Sequence, residues 1–489
     1  MQFSHLIEKS GLTILERKGD AEVTRVTADS RQCGPGTCFV AVRGTNVDGH
    51  QFLADVAACG ASAVVCERPG DLPADFPHAL VKNSRRAAGP LAQAMLDWPV
   101  RKLKAVGITG TNGKTTVAHM IGSILRDAGA SPALLGTIRY DTGARNVDAA
   151  TTTPGAVQLA EMCAEMVSAG RTHLVMEVSS HALHQWRVAG VNFAVGVFTN
   201  ITGDHLDYHR TMKRYLAAKR RLFKQLSPDA WAVINRDDPA SGEMTDATPA
   251  RVIMYGLNPL ADLRARIGAV DATGTRFDLV YDGQEVSASM SQIGRHNVYN
   301  ALAASGACLA LGLEPEQVAR SLGRIREVPG RLQRVQAEAG FSVFVDYAHT
   351  DDALANVLQS LRPIVSGRLM LVFGCGGDRD RSKRPRMAGV AEQLADRIYV
   401  TSDNPRSESP EAIIAEILAG FSALGAEKTT VEPDRRQAIA MAVGEARRGD
   451  LVLIAGKGHE TYQIIGPTRS DFDDAKVAAE EIHKLQRQA

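Results

Sequence analysis

After about residue 100 the chain repeats one arrangement, a short apolar run followed by a longer segment with apolar residues at helical spacing. Five candidate strands of this kind lie at 105–109, 173–178, 193–198, 231–234 and 252–255. Such alternation predicts a mostly parallel sheet that is covered by helices on both faces. Period-two alternation over 275–290, around Asp282-Gly283, predicts an added antiparallel hairpin, and a helix over 296–311 follows it.

The alternation restarts after about residue 332. Four further candidate strands lie at 342–346, 368–373, 397–401 and 451–455. The predicted helices between and after them cover 350–361, 383–395, 410–420 and a closing segment from 473. This pattern predicts a second doubly wound sheet, independent of the first.

Residues 1 to about 100 contain two short apolar runs and two helical stretches, at 38–42, 61–66, 51–59 and 84–97. The mixture predicts a small α/β unit. Two polar loops, at 27–31 and 43–49, flank its strands. Loops of this type bind ligands or turn the chain, and taken alone these two favour a turn.

A glycine-rich loop follows the first strand of the central alternation. Gly110-Thr-Asn-Gly-Lys-Thr115 stands between that strand and a helical pattern, which is the context that a phosphate-binding loop requires. The glycine backbone can close around phosphate oxygens, Lys114 can reach the outer phosphates, and the hydroxyl of Thr115 or Thr116 can bind Mg²⁺. The usual pattern has glycine where this chain has Ile108, yet the loop favours nucleotide binding over a turn without a ligand.

These patterns predict an α/β protein of three domains. A small mixed α/β domain covers 1–102, a central domain with a P-loop ATPase-like parallel sheet covers 103–331, and a Rossmann-like doubly wound domain covers 332–489. The length of 489 residues agrees with about three domains of ~150 residues each.

Composition narrows the class of protein. Lys plus Arg is 56 and Asp plus Glu is 55, so bulk charge gives no reason to expect nucleic acid or an anionic membrane as a partner. The seven cysteines form no Cys-x-x-Cys pair, which argues against a zinc site or a disulfide framework and fits a reducing cytoplasm. No apolar run approaches the ~20 residues of a membrane span. We expect a cytoplasmic monomer that is not inserted in a membrane.

Charged side chains after the central strands are candidates for a metal site. Glu177 ends an apolar strand, where a carboxylate can bind Mg²⁺ or simply face water. The segment 200–209 contains two histidines and two aspartates, but not at zinc spacing. His205 can bind a metal as a neutral imidazole, whereas His209 can equally be a hydrogen bonder at a helix start. Two arginines follow Lys219, so the default interpretation of that lysine is a solvated basic face.

Polar residues follow four strands of the C-terminal alternation, at 346–349, 375–380, 403–406 and 456–460. In doubly wound sheets ligands bind outside the carboxyl ends of the strands. A single polar loop would be unremarkable, but four in register predict a binding face.

The motifs resemble those of one family along essentially the whole chain. They are Gly110-Thr-Asn-Gly-Lys-Thr115, Thr151-Thr-Thr-Pro154, Met176-Glu-Val-Ser-Ser-His181, Asn200-Ile-Thr-Gly-Asp-His-Leu-Asp207, Ala217-Ala-Lys219, Gly294-Arg-His-Asn297, Pro329-Gly-Arg331, Asp346-Tyr-Ala-His349 and Gly456-Lys-Gly-His-Glu460. In kind and in order they resemble the Mur ligases, ATP-dependent enzymes that form amide bonds in peptidoglycan precursors. One departure is Asp351, where the family often has proline.

The resemblance implies catalytic roles for Lys114, Lys219 and His205. It implies ATP binding by Gly110, Thr111, Asn112, Gly113, Lys114, Thr115, Thr116, Asn297, Arg331 and Asp346. It implies binding of a UDP-muramoyl-dipeptide by Ser30, Thr45, Asn46, Val47, Thr151, Thr152, Thr153, Ser179, Gln185 and Arg187. The implied Mg²⁺ site consists of Thr115, Glu177, His205 and Lys219, with the lysine carbamylated to N6-carboxylysine so that it offers oxygen ligands.

The loop Asp403-Asn-Pro-Arg406 bears on the amino acid to be added. Arg406 offers a planar fork suited to a carboxylate, although the loop could also only cap a helix near Pro410. The loop resembles that of the family members that add meso-diaminopimelate, whereas lysine-adding members lack the arginine. The implied contacts to diaminopimelate are Arg379, Asp403, Asn404, Pro405, Arg406, Gly456 and Glu460.

The implied reaction adds meso-diaminopimelate to UDP-N-acetylmuramoyl-L-alanyl-D-glutamate. ATP phosphorylates the acceptor carboxylate, the amine attacks the acyl phosphate, and ADP and phosphate are released. All three implied partners are therefore small molecules, with Mg²⁺ as the metal. The alternatives are a ligase that adds L-lysine at the same step or a dipeptide at the next, and, in another class, a non-catalytic nucleotide-dependent switch.

Overall fold

The structure, a computed structural model, describes residues 1–44, 47–271, 273–335 and 340–488. In this part of the chain three separate sheets are each covered by helices, and a short hairpin follows them. The predicted α/β class with three domains is therefore confirmed. The domain boundaries at 102/103 and 331/332 stay a prediction.

The first sheet has five strands in the order β1-β5-β4-β3-β2. The strands are β1 (Ile14–Lys18), β2 (Arg25–Thr27), β3 (Thr37–Val40), β4 (Ala63–Cys66) and β5 (His78–Val81). The helices are α1 (Phe3–Ser10), α2 (Leu53–Ala58) and α3 (Ser84–Met95), with 3₁₀ turns at Ser30–Gln32, Gly49–Phe52 and Pro99–Lys102. Only the β1–β5 pair is antiparallel.

The central sheet has eleven strands in the order β16-β15-β14-β13-β12-β11-β6-β10-β7-β8-β9. The strands are β6 (Lys104–Thr109), β7 (Pro132–Leu135), β8 (Arg139–Asp141), β9 (Asn146–Asp148), β10 (His173–Glu177), β11 (Phe193–Phe198), β12 (Trp231–Asn235), β13 (Arg251–Gly256), β14 (Leu263–Asp271), β15 (Gly274–Tyr281) and β16 (Gln284–Met290). The helices are α4 (Lys114–Asp127), α5 (Ala156–Ser168), α6 (Ser180–His184), α7 (Leu206–His209), α8 (Met212–Lys224), α9 (Ser241–Thr245), α10 (Arg295–Ala310) and α11 (Pro315–Leu322).

Alternate side chains of β6 explain why this strand lies at the middle of the central sheet. Val106 and Ile108 pack in a core with α4 and α10, whereas Ala105 packs in a second core on the opposite face. A strand that is buried on both faces needs a nearly continuous apolar run. In spatial order, the strands β7, β10, β6, β11, β12, β13 and β14 are parallel to one another. The antiparallel pairs of the described strands lie at the two edges of the sheet.

The third sheet has six strands in the order β17-β18-β22-β19-β20-β21, and all pairs but β17–β18 are parallel. The strands are β17 (Gln333–Arg334), β18 (Ser342–Asp346), β19 (Leu369–Phe373), β20 (Arg397–Val400), β21 (Thr429–Val431) and β22 (Leu451–Ala455), followed by the hairpin β23 (Tyr462–Ile465) and β24 (Thr468–Asp471). The helices are α12 (Asp351–Leu361), α13 (Lys383–Leu394), α14 (Pro410–Leu418), α15 (Ala423–Glu427), α16 (Arg435–Glu445) and α17 (Asp474–Gln488), with a 3₁₀ turn at Arg362–Ile364.

Every strand predicted for the central and C-terminal sheets is present, with ends that differ by at most one residue. The hairpin predicted around Asp282-Gly283 is also present, but it continues the edge of the central sheet through β14. Elements that were not predicted include β7, β8, β9, β14, β17, β21, α15, α16 and the β23–β24 hairpin.

Candidate active site

The glycine loop between β6 and α4 has the backbone geometry that its sequence requires. Gly110 has φ +155° and Gly113 has φ +85°, and a Cβ atom at these positions would lie 1.8 Å from Thr199 Oγ1 and 2.3 Å from Asn300 Oδ1. No larger residue fits, so both glycines are needed for the loop. Lys114 Nζ donates to the carbonyl oxygens of Gly110 (2.9 Å) and Thr111 (2.7 Å), which holds its ammonium at the loop.

A cavity of about 150 Å³, the loop cavity, borders this loop. The predicted residues that line it are Gly110, Thr111, Asn112, Gly113, Lys114, Thr115, Thr152, Glu177, Ser179, His205, Lys219 and Arg331. Glu177 is buried at the end of β10, and Thr137 donates to it through its backbone N–H (2.9 Å) and its hydroxyl (3.0 Å). The interpretation of Glu177 as a carboxylate facing water is therefore wrong.

Lys219 lies on a buried face of α8 and is only 1% exposed. Its Nζ lies 4.3 Å from the centroid of the Tyr215 ring. Burial, together with the charge of Lys114, holds the pKa of Lys219 well below its usual range. The default interpretation of Lys219 as part of a solvated basic face is therefore wrong, and the structure brings this lysine to the phosphate loop.

His205 precedes α7 in a left-handed conformation, with φ +55°. Its Nε2 lies 3.5 Å from Asp204 Oδ2 in the loop cavity. Burial lowers the pKa of His205, so its imidazole is neutral at neutral pH and can bind a metal. His209 ends α7, and its Nε2 lies 3.0 Å from the hydroxyl of Ser180, the first residue of α6, so it is a hydrogen bonder at a helix start.

The four predicted metal positions, Thr115, Glu177, His205 and Lys219, line one cavity. Over the described ranges, however, no group of three or more His, Cys, Asp or Glu side chains is placed to hold a metal ion. An unmodified Lys219 would add a second cation beside Lys114. The residues fit Mg²⁺ only if Lys219 carries the carbamate, because that group replaces a cation with oxygen ligands.

A second cavity, of about 320 Å³, lies between the central and third sheets, and we call it the interdomain cavity. The predicted residues Asn112, Gly113, Thr116, Asn297, Arg331 and Asp346 line it. Asp346 accepts backbone hydrogen bonds from Leu332 (2.7 Å) and Ala348 (2.8 Å), and burial raises its pKa. Arg331 reaches back to the loop, where its Nη2 donates to Thr115 Oγ1 (3.1 Å).

The predicted threonine segment 151–153 lies beside β10. Thr153 Oγ1 donates to the carbonyl oxygen of Glu177 (2.8 Å), and Ser179 N donates to Thr153 Oγ1 (3.1 Å). Arg187 Nη1 donates to the carbonyl oxygen of Thr153 (2.9 Å). The same guanidinium also donates to Gln185 Oε1, at 3.1 and 2.8 Å. The structure thus brings the predicted dipeptide-binding residues together.

Gln185 and Arg187 also line a third cavity, of about 550 Å³, between the first and central sheets. Sequence analysis missed Asp29, Gln32 and Arg85 in this N-terminal cavity. The predicted residues Ser30 and Val47 do not line it: Ser30 starts a 3₁₀ turn beside Asp29, and Val47 is 49% exposed. Thr45 and Asn46 lie outside the described residues.

A fourth cavity, of about 510 Å³, opens at the carboxyl ends of the third sheet. This C-terminal cavity is lined by six of the seven residues predicted to contact the amino acid, namely Arg379, Asp403, Asn404, Arg406, Gly456 and Glu460. Pro405 does not line it. Its carbonyl oxygen packs against Gly377, where a Cβ atom would lie only 1.8 Å away.

The loop that carries Arg406 is held in place by β23 and by buried polar groups. Arg406 Nη1 donates to the carbonyl oxygens of Gly377 (2.8 Å) and Asn404 (3.4 Å). Asn404 Nδ2 donates to Glu460 Oε2 (2.6 Å), and Lys457 Nζ donates to Asn404 Oδ1 (3.3 Å). Burial and the nearby Asp403 raise the pKa of Glu460.

Three of these cavities meet at common residues. Tyr347 and His349 border the loop, interdomain and C-terminal cavities alike. Thr152 and His205 border both the loop cavity and the C-terminal cavity. A group in the C-terminal cavity and a group at the phosphate loop therefore face the same small set of side chains.

No described helix is long and apolar enough to cross a membrane.

Three family models match the chain in order. They are the Mur ligase family catalytic domain over residues 22–96, the Mur ligase middle domain over 108–308 and the Mur ligase glutamate ligase domain over 330–458. Among curated proteins, the UDP-N-acetylmuramoyl-L-alanyl-D-glutamate–2,6-diaminopimelate ligase of Geobacillus kaustophilus is 45% identical over 466 residues, which is 94% of this chain and 95% of that protein. The ligase of the same name from Solibacter usitatus is 45% identical over 463 residues, 94% of this chain and 93% of its own.

Solved structures agree with these matches. A structure described as UDP-N-acetylmuramoyl-L-alanyl-D-glutamate–2,6-diaminopimelate ligase is 32% identical, covers 95% of both chains and gives a TM-score of 0.69. The MurF ligase of Thermotoga maritima in complex with ADP, at 19% identity, shares the fold with a TM-score of 0.64 over 96% of this chain and 99% of its own. Because relatives at 45% identity cover more than nine tenths of the sequence, this chain belongs to the Mur ligase family.

Proposed function

We propose that this enzyme is an ATP-dependent ligase that joins meso-diaminopimelate to UDP-N-acetylmuramoyl-L-alanyl-D-glutamate and releases ADP and phosphate, in the synthesis of peptidoglycan precursors. The observation that carries the proposal is the contact between two cavities. The cavity that holds Arg379 and Arg406 shares Thr152 and His205 with the cavity at the phosphate loop. An amino acid bound in the C-terminal cavity can therefore reach an activated carboxylate in the loop cavity without passing through solvent.

Each cavity takes one part of the substrates in this proposal. The interdomain cavity holds the nucleoside of ATP, and the loop cavity holds its phosphates. The N-terminal cavity, with Asp29, Gln32 and Arg85, holds the uridine nucleotide. Gln185 and Arg187 lie at its border with the dipeptide-binding residues. We further infer that the domain boundaries lie at 102/103 and 331/332. We also infer that the protein is a monomer and that it is located in the cytoplasm.

The chemistry follows from the poor reactivity of a carboxylate toward amines. Transfer of the γ-phosphoryl group to the acceptor carboxylate creates a good leaving group, and the ammonium of Lys114 offsets charge at the transferring phosphoryl. The amine of diaminopimelate must then attack in its neutral form, after which phosphate leaves. The domains must close so that the amine and the acyl carbon come within about 3 Å of each other and water is kept out.

Mg²⁺ belongs to the proposal through Thr115, Glu177, His205 and carbamylated Lys219. When bound, the metal would offset phosphate charge during transfer. The lowered pKa of Lys219 favours the neutral amine, which is the form that reacts with CO₂. The resulting carbamate is an anion beside Lys114, so it also removes the repulsion between two buried ammonium groups.

Phosphate release against a panel of amino acids tests this function. Release should require both UDP-N-acetylmuramoyl-L-alanyl-D-glutamate and an amino acid, and the product mass should show diaminopimelate added once. A nucleotide-dependent switch would instead hydrolyse ATP slowly without either substrate. Release that needs the nucleotide substrate but prefers L-lysine or a dipeptide would assign the chain to another step or to another amino acid.

A further inference from the structure

A larger cavity, of about 710 Å³, is lined by none of the residues to which a site was assigned above. It lies between the helices α3, α6, α7 and α8. Among the described residues, four cationic side chains and no carboxylate line it; the cations are Arg86, Arg214, Arg221 and Lys224. We call it the basic groove.

The charges in the basic groove are not neutralised within the described part of the chain. There, none of the four cations forms a salt bridge, whereas Arg220 on the same helix pairs with Glu243. The two imidazoles in the lining supply no counter-charge, because a histidine ring is either neutral or positive, and burial and neighbouring positive groups lower the pKa of His184 and of His209. Four like charges around one concave surface repel each other, and a bound anion would relieve that repulsion.

A strained aromatic residue forms part of the same groove. Trp186 has φ +58°, which is unusual for a bulky side chain. Two guanidinium groups stack over its ring, with Arg86 Cζ 5.3 Å and Arg221 Cζ 4.9 Å from the ring centroid. Arg221 is fixed in turn, since its Nη1 donates to the carbonyl oxygens of Leu183 and His184. A strained backbone of this kind persists where the surrounding contacts fix it, and such residues cluster at functional sites.

We propose that the basic groove binds a small soluble molecule that carries two or more linked phosphate groups. Arginine forks are well suited to phosphate oxygens, and a diphosphate supplies enough negative charge to balance most of the four cations. The volume lies within the range of small-molecule sites, roughly 300–1,000 Å³. The chain as a whole has a net charge of only +1, which argues against a long nucleic acid as the occupant.

The groove is connected to the proposed substrate site. Tyr208 lines the groove, and its hydroxyl accepts a hydrogen bond from Gln185 Nε2 (3.1 Å) while lying 2.8 Å from His184 Nδ1. Gln185 in turn accepts from Arg187. An occupant that contacts Tyr208 would therefore act on the residues at the N-terminal cavity, which makes the groove suitable for an effector.

Titration with inorganic pyrophosphate, followed by tryptophan fluorescence and by calorimetry, tests the proposal. Pyrophosphate should change the fluorescence of the wild type but not of Trp186→Phe, and it should raise the melting temperature. The response should persist in Lys114→Ala, which separates this groove from the phosphate loop. Inorganic phosphate should bind more weakly, and added salt should weaken both.

Two variants on α8 provide a matched comparison. Arg214→Ala and Lys224→Ala each remove one exposed cation from the groove and should weaken pyrophosphate binding about ten-fold. Lys213→Ala removes an exposed cation from the same helix outside the groove and should change little. Equal losses in all three variants, or a response that vanishes in Lys114→Ala, would overturn the proposal. So would displacement of pyrophosphate by phosphatidylglycerol vesicles but not by glycerol phosphate, since that result assigns the groove to a lipid surface.

Discussion

The side chain of Asp352, in the first turn of α12, accepts a hydrogen bond of 2.8 Å from the side chain of Asn112 in the phosphate loop. Thr202 Oγ1 donates to the same carboxylate oxygen at 3.2 Å. Asp352 belongs to the domain of the third sheet, whereas Asn112 and Thr202 belong to the central domain. One carboxylate thus connects the two domains at the loop that binds phosphate.

Asp352→Ala should lower kcat/KM for ATP about ten-fold, since it removes two hydrogen bonds to an ionisable group at the domain contact. Steady-state kinetics with ATP as the varied substrate measures the change. The melting temperature should move little, because the fold of each domain is not involved. An unchanged kcat/KM would mean that this contact does not set the geometry of the loop.

The neighbouring residue is the matched control for that variant. Asp351 is the first residue of α12, Thr350 caps the helix by accepting from Ala353 N (3.2 Å), and among the described residues the charge partner of Asp351 is Arg386 on α13. Proline is favoured at the first helical position, so α12 can begin with it. Asp351→Pro should therefore leave kcat/KM within a factor of about two, because an exposed ion pair contributes little.

Lys219 gives the second prediction. If it is carbamylated, removing CO₂ and bicarbonate should lower activity, and ¹³C-bicarbonate should produce a carbamate carbonyl resonance that is absent in Lys219→Arg. Lys219→Ala should be inactive and should recover part of its activity with a short carboxylic acid such as acetate. Full activity of Lys219→Ala without any added acid would remove this residue from the reaction.

Strands and motifs were predicted best where all the residues that define them are adjacent in the chain. Central strands such as β6, β10 and β11, which read as continuous apolar runs, were found, because burial on both faces demands such runs. The short buried run of β7 was missed. The short edge strands carry no such signal, because β9 has only exposed side chains and β8 has a single buried one, Tyr140. The phosphate loop was predicted from Gly110, Gly113 and the Lys114-Thr-Thr that follows, since strand, loop and helix are adjacent in the chain.

Contacts between distant segments could not be predicted in the same way. Thr137 holds Glu177, but it is 40 residues away in sequence. Gly136 beside it is needed only because a Cβ atom there would lie 2.3 Å from Glu177 Oε1. Likewise, a run of three basic residues favours a solvated face for Lys219, and only the packing of α8 on the central domain shows that the lysine is buried.

Glu408 gives a prediction about pH. Arg384, which is fully buried, donates to both oxygens of Glu408 at 2.9 Å, and Glu408 accepts in addition from Asp378 N beside Arg379. The hydrogen bonds from Arg384 lower the pKa of Glu408 from 4.5 to about 2. Because the folded pKa lies below the unfolded one, ionised Glu408 stabilises the fold above about pH 4.5, and this stabilisation is lost as the pH falls toward 2.

Glu408→Gln should therefore lower the melting temperature at pH 7, by roughly 2–4 °C for each kcal/mol lost from a domain of this size. The gap between variant and wild type should narrow as the pH falls below 4.5. Calorimetric melting from pH 7 to pH 3 measures both effects. Glu427→Gln, at an exposed carboxylate of α15, is the control and should follow the wild type throughout. A gap that widens in acid would contradict the assigned pKa.

Arg406 gives the prediction that decides the amino acid. Its Nη1 is anchored on the carbonyl oxygens of Gly377 and Asn404, which orients the guanidinium in the C-terminal cavity. Meso-diaminopimelate has a carboxylate at its far end, and L-lysine has none. With L-lysine the fork of Arg406 would stay unpaired in a closing site, at a cost of about 1–3 kcal/mol or more.

The wild type should therefore prefer meso-diaminopimelate over L-lysine in kcat/KM. Arg406→Ala should lose roughly 100-fold or more of the diaminopimelate activity, about 3 kcal/mol, and little of any lysine activity. Arg406→Lys keeps the charge without the planar fork and should fall in between. Arg381→Ala removes a nearby arginine that pairs with Glu416 outside the cavity, so its preference should match that of the wild type. An equal or higher wild-type kcat/KM for L-lysine would show that Arg406 does not select the substrate, and the amino acid assigned here would be wrong.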